Sequence, residues 1–129
     1  MYNQAGQQAY RRNKYETASP HRLIQMLYEA ALHNIANALM AIDNRQIAVA
    51  HRNILRAQEI VNELLSCLNE EKGGAIATSL KEIYIYSIRQ LIQANLRKQR
   101  QPLEEVQRVL TEIKSAWDQI GKEVAIGKA

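Results

Sequence analysis

The chain of 129 residues has no phenylalanine, one cysteine and two prolines. A lone thiol, Cys67, excludes an internal disulfide framework and favours a reducing compartment, which points to the cytoplasm. No apolar run approaches the roughly 20 residues of a membrane-spanning helix, so no membrane insertion is expected. The first fifteen residues are polar and lack the apolar segment of a secretory signal. The chemistry of an enzyme is missing too. His21, His33 and His51 fall in no metal-ligand spacing. Glu29 and His33 are four apart without a second such pair, whereas a di-iron bundle needs paired Glu-x-x-His motifs. Gly73-Gly74 belongs to no phosphate-binding loop. These gaps predict no catalytic residue, no metal and no cofactor.

What remains suits helices. Hydrophobic residues make up 47% of a chain whose length fits one domain with a real core. They are Ile, Leu and Ala interleaved with Gln, Glu and Arg, a mixture that favours helix over strand. Ser19-Pro20 marks the first helix, with Ser19 as cap and Pro20 at a position that needs no N–H donor. That helix is expected to reach about Ile42, with Asp43 capping the second. Ile47, Ala50, Ile54, Ala57, Val61, Leu64 and Leu68 keep 3-4 spacing along the second helix, which Gly73-Gly74 should end. The third is expected from about Ala75 to Lys98. The fourth opens at Gln101-Pro102 with the seam Leu103, Val106, Leu110, Ile113, Trp117 and Ile120. Short connections between long helices predict an all-α, antiparallel up-down four-helix bundle over residues 19–121. Residues 1–18 are expected to form a mobile N-terminal arm and 122–129 a frayed tail.

Two of these helices carry more apolar surface than one seam requires. Ile76, Leu80, Ile83, Tyr84, Ile85, Ile88, Leu91, Ile92 and Leu96 spread over roughly 200° of the third helix, against the ~100° a surface helix usually needs. Leu23, Ile24, Leu27, Tyr28, Leu32, Ile35 and Leu39 make a similar arc on the first, with Met26 and Met40 to one side. Either both helices are simply more buried, or part of each arc lines an open groove for a partner's amphipathic helix. Methionine suits such a groove because its thioether adapts to varied shapes.

An ordered set of motifs adds a resemblance. Tyr10-Arg-Arg-Asn13-Lys-Tyr15-Glu-Thr17-Ala18-Ser19-Pro20 is similar to the N-terminal signature of the flagellar secretion chaperone (FliS) family. The similarity continues through Leu23-Ile24-x-Met26-Leu27-Tyr28 and Ala57-Gln58-x-Ile60-Val61-x-Glu63-Leu64. It then runs through Gly73-Gly74, Leu80, Tyr84, Tyr86, Leu91, Ala94-Asn95 and Ala116-Trp117. His21-Arg22 stands where members often have acidic residues, and Tyr15 where an aliphatic residue is common. The resemblance implies a cytoplasmic export chaperone of the flagellar type III system. Its partner would be the disordered C-terminal segment of flagellin, kept from premature polymerisation and delivered to the export apparatus. Tyr10, Asn13, Tyr15 and the turn Thr17 to Ser19-Pro20 would belong to an arm and hinge able to cover a groove. Met26, Ile85, Ile88, Ile92 and Leu96 are the candidate partner-binding residues on the helices. The same surface leaves a homodimer open.

Two other uses of a helical bundle stay in view. Histidine phosphotransfer needs an exposed histidine with supporting basic residues, and neither His33 nor His51 is followed by Lys-Gly. Nucleic-acid binding would draw on the net charge of +4 and the basic groups Arg11-Arg12-x-Lys14 and Arg97-Lys98-x-Arg100. Solvated faces and a helix C-terminus account for those groups more simply, so nucleic acid is not the expected partner.

Overall fold

A computed structural model describes the backbone of residues 19–127 and the side chains of residues 19–121. Four helices follow one another: α1 (Pro20–Asp43), α2 (Ile47–Ser66), α3 (Glu70–Arg97) and α4 (Arg100–Gly127). No strand occurs among the described residues. The links are two to three residues long, so consecutive helices turn back on each other. α1 packs on α2 and α4, and α3 packs on the same two neighbours. This is the four-helix bundle expected from the spacing of apolar residues. The arm residues Tyr10, Asn13, Tyr15 and Thr17 lie outside the described residues.

The ends of the helices show which local signals won. Ser19 Oγ accepts a hydrogen bond from Arg22 N at 3.1 Å, and Pro20 takes the first turn. Asp43 does not cap α2. It ends α1 and accepts from Arg100 Nη1 at 2.7 Å, while the α2 cap residue Gln46 makes no side-chain bond. The larger departure is at Gly73-Gly74, which does not end the second helix. α2 stops at Ser66, and Asn69 starts α3 by accepting from Lys72 N at 3.1 Å. Glu70 and Glu71 then fall in the first turn, where negative charge complements the helix dipole. The glycines do interrupt the helix from inside: Gly74 sits at φ 55°, ψ −133° and kinks α3 after its first turn. At the far end α4 runs on through Gly127, six residues past the Gly121 where the sequence suggested fraying.

The core is drawn from all four helices. Ile35, Ile54, Val61, Leu64, Leu91, Leu103, Val106 and Leu110 are fully buried in one cluster. Tyr28 of α1 and Tyr84 of α3 meet there hydroxyl to hydroxyl, 2.5 Å apart. Burial foremost, and the shared hydrogen bond at Tyr28, push the Tyr28 phenol far above its ordinary range, so the pair stays neutral. A neutral, paired hydroxyl avoids the cost of an unsatisfied polar atom in the core.

α1 is fastened to α4 near its start. The His21 ring stacks on Trp117 with centroids 4.7 Å apart and planes 7° from parallel. His21 Nε2 donates to the Trp117 carbonyl at 2.6 Å, and Trp117 Nε1 donates to the His21 carbonyl at 2.9 Å. A Cβ on Gly121 would fall 2.1 Å from His21 Cε1, so glycine leaves the ring its space. Gln25 and Lys114 both donate to Asp118, at 2.6 and 2.7 Å, and Lys114 first among them holds that carboxyl below its usual range. A basic pair at a helix N-terminus opposes the dipole. Here His21 is spent on this fastening instead, and Arg22 reaches Glu29 at 3.1 Å.

Candidate binding surfaces

Two apolar surfaces flank α2, one on each side. The first is a groove of about 620 Å³ between α1 and α2. Leu23, Ile24 and Leu27 form one wall, Ile60 and Cys67 the other, and Arg56, Glu59 and Glu63 the rim. Pro20, the first residue of α1, also lines the groove. Burial foremost, then the neighbouring Glu63, push the Cys67 thiol up, so it stays protonated and lines the groove as a small soft group.

The second surface is the outer face between α2 and α3. His51 Nδ1 lies 3.1 Å from Asn95 Oδ1 and ties the two helices together across it. On α3, Ile85 and Ile88 are half-buried, Ile92 is 41% exposed and Leu96 is 74% exposed. Residues 85, 88, 92 and 96 recur at three- and four-residue steps, so they form one stripe along the helix. On α2, Ile47 (53% exposed) and Leu55 (40% exposed) continue the surface on either side of His51 along the helix. Most large apolar side chains of a bundle this size disappear into the core, so a cluster left in solvent is informative.

The candidate residues therefore separate. Ile85, Ile88, Ile92 and Leu96 share the α2/α3 face. Ser19 and Pro20 are exposed at the start of α1, with Pro20 in the wall of the α1/α2 groove. Met26 is buried at 8% exposure and offers little to a partner in this conformation. Met40 is well exposed near the other end of α1. Ile83, on the opposite flank of α3, lines a shallower cleft with Tyr86, Val109 and Ile113 of the α3/α4 side. Tyr86 donates there to Glu105, which Arg108 also binds at 2.8 Å.

The 3-4 seam along α2 accounts for its core side alone and not for its share of both surfaces. The signal was present: Leu55 and Ile60 lie outside the 3-4 seam, and Leu55 is turned about 100° from its neighbour Ile54. Among the described residues no group of three side chains is placed to hold a metal ion, and no helix is long and apolar enough to cross a membrane.

Comparison with known proteins agrees with these features. Residues 1–124 match the family model described as flagellar protein FliS. The chain is 40% identical over 125 residues to the flagellar secretion chaperone FliS of Salmonella typhimurium, covering 93% of each chain. It is 37% identical over 120 residues to the chaperone of the same name in Vibrio cholerae, covering 90% of this chain and 88% of the relative. Over 111 residues it is 35% identical to that of Bacillus subtilis, covering 86% and 82%. A helical bundle with apolar surface left open on both sides of α2, matched along almost its whole length, belongs to the FliS family of flagellar secretion chaperones.

Proposed function

We propose that this chain is a cytoplasmic chaperone that holds the disordered C-terminal segment of flagellin and passes it to the flagellar export apparatus. The observation that carries the reading is the α2/α3 face, with Leu55, Ile92 and Leu96 exposed together in a member of a secretion-chaperone family. Ordering a disordered segment costs about 1–2 kcal/mol per residue in backbone entropy. Fully burying a Leu or Ile contributes about 1.5–3 kcal/mol. A segment must therefore place an apolar side chain on the chaperone every few residues, which favours an extended surface over a single pocket. The α2/α3 face and the α1/α2 groove together provide one. Bound segments would be amphipathic helices, with anchors three and four residues apart.

In this reading the arm hinges at Ser19-Pro20, with Pro20 lining the α1/α2 groove. Tyr10, Asn13, Tyr15 and Thr17 then cover that groove while no partner is bound. The complex holds flagellin by contacts alone, with no catalytic step. Titration calorimetry of the full chain with the C-terminal segment of the cognate flagellin tests the reading. Saturable binding at micromolar concentration or tighter is expected, with a negative heat-capacity change from apolar burial. Absence of heat and of co-purification at those concentrations rejects it.

A further inference from the structure

The α2/α3 hairpin is electrically lopsided along its length. Residues 44–58, spanning the start of α2, contain three arginines and no acid. Residues 83–103, spanning the end of α3, contain Arg89, Arg97, Lys98 and Arg100 and again no acid. Both stretches lie at one end of the bundle, since His51 meets Asn95 there. The intervening residues 59–82 contain five glutamates against two lysines; Glu59 and Glu63 rim the α1/α2 groove and Glu70 pairs with Lys81, which leaves the α2–α3 turn net acidic. Among the described residues, Arg100 is paired with Asp43 and Glu104, and Arg56 with Glu59, whereas Arg45, Arg52 and Arg89 make no ion pair. Arg89 falls in the stripe of Ile85, Ile92 and Leu96, and Arg52 is one helical turn from Leu55. The unpaired cations thus border the exposed apolar face. The dipoles of antiparallel α2 and α3 oppose one another at each end, so side-chain charge sets the sign of the field.

A helix laid on this face carries its own dipole, positive at its N-terminus and negative at its C-terminus. From this charge gradient we infer the direction of the bound segment: its C-terminal end lies at Arg45, Arg52 and Arg89, and its N-terminal end at the α2–α3 turn. It runs antiparallel to α2 and parallel to α3. The partner so recognised is an amphipathic helix whose acidic residues gather toward its C-terminal end. The inference rests on the proposed flagellin-segment reading of this face and adds polarity to it.

Lys72, exposed in the first turn of α3 and lining neither apolar surface, gives a direct ruler at the α2–α3 turn. A nitroxide on the single cysteine of a full chain carrying Cys67→Ser and Lys72→Cys is paired with a second nitroxide at either end of a helical stretch of the flagellin C-terminal segment. A stretch of about 14 residues separates those two positions by about 21 Å. Pulsed dipolar spectroscopy is expected to give the shorter distance to the N-terminal label. The reverse order, or equal distances, overturns the polarity while leaving binding intact. Lack of binding by the labelled segments in calorimetry would instead strike the underlying reading, and with it the inference. A second variant tests the cause. Arg52→Gln combined with Arg89→Gln is expected to weaken binding roughly two- to thirtyfold, the range for two surface charge interactions, and to flatten its salt dependence. Unchanged affinity and unchanged salt dependence overturn the electrostatic basis.

Discussion

Replacing both Ile92 and Leu96 by glutamate is expected to weaken binding of the flagellin segment by about a hundredfold, with the free protein as stable as before. Leu96 stands largely in solvent and Ile92 is 41% exposed at the edge of the packing, so the free bundle loses little when they change. Surface substitutions away from caps and cores usually shift stability by no more than about 0.5 kcal/mol, and glutamate is a good helix former. In the complex the balance reverses. Each lost apolar anchor removes on the order of 1.5 kcal/mol of burial, and about 1.4 kcal/mol is a factor of ten in affinity. Two carboxylates facing an apolar partner surface add a desolvation cost. Calorimetry gives the affinity, and circular dichroism during denaturation gives the stability. Binding at the original strength removes this face from the site.

Leu91, five residues before Leu96 on the same helix, should behave in the opposite way. It is fully buried in the cluster with Ile35, Ile54 and Leu103. Truncating a buried leucine to alanine typically costs about 2–5 kcal/mol through lost transfer energy and the cavity left behind. Domains of this kind hold about 5–15 kcal/mol in all, so Leu91→Ala is expected to remove a large share. Urea denaturation should show a lower midpoint at nearly unchanged slope. The folded variant keeps the α2/α3 face and binds the segment with near-normal affinity under conditions where it is fully folded. A loss below about 1 kcal/mol contradicts a core position for Leu91.

This contrast within α3 marks the limit of sequence periodicity. The wide apolar arc was legible, but Leu91 and Leu96 look alike in a sequence. Which of them faces the core depends on where α2 and α4 sit. Start signals were more readable, because the Ser19 cap and Pro20 act within one turn. The α2–α3 turn misled for a local reason as well. Asn69 with Glu70-Glu71 is a stronger helix start than Gly73-Gly74 is a stop, and Gly74 survives as a kink inside α3. Elsewhere side-chain identity hid the backbone. Arg45 and Lys98 adopt φ of 57° and 51°, the left-handed region that glycine fills most easily, so neither residue announced its turn. The stack of His21 on Trp117 joins residues 96 apart, and no spacing rule reaches that far.

The candidate site was legible in the same uneven way. Ile85, Ile88, Ile92 and Leu96 could be picked out because they widen one helix's apolar arc. The α1/α2 groove could not, because its second wall is made by Ile60 and Cys67 of a helix whose seam already looked complete. The charge gradient is visible in the sequence as two long stretches without an acid. It becomes directional only when the fold brings both to one end of the bundle.

Hydrogen exchange of the full chain, with and without the flagellin segment, tests the central claim most directly. Stretches 47–58 and 85–97 are expected to exchange more slowly in the complex, while 100–113 on α4 stays unchanged. Protection confined to α4, or spread evenly over all four helices, would contradict a binding face between α2 and α3.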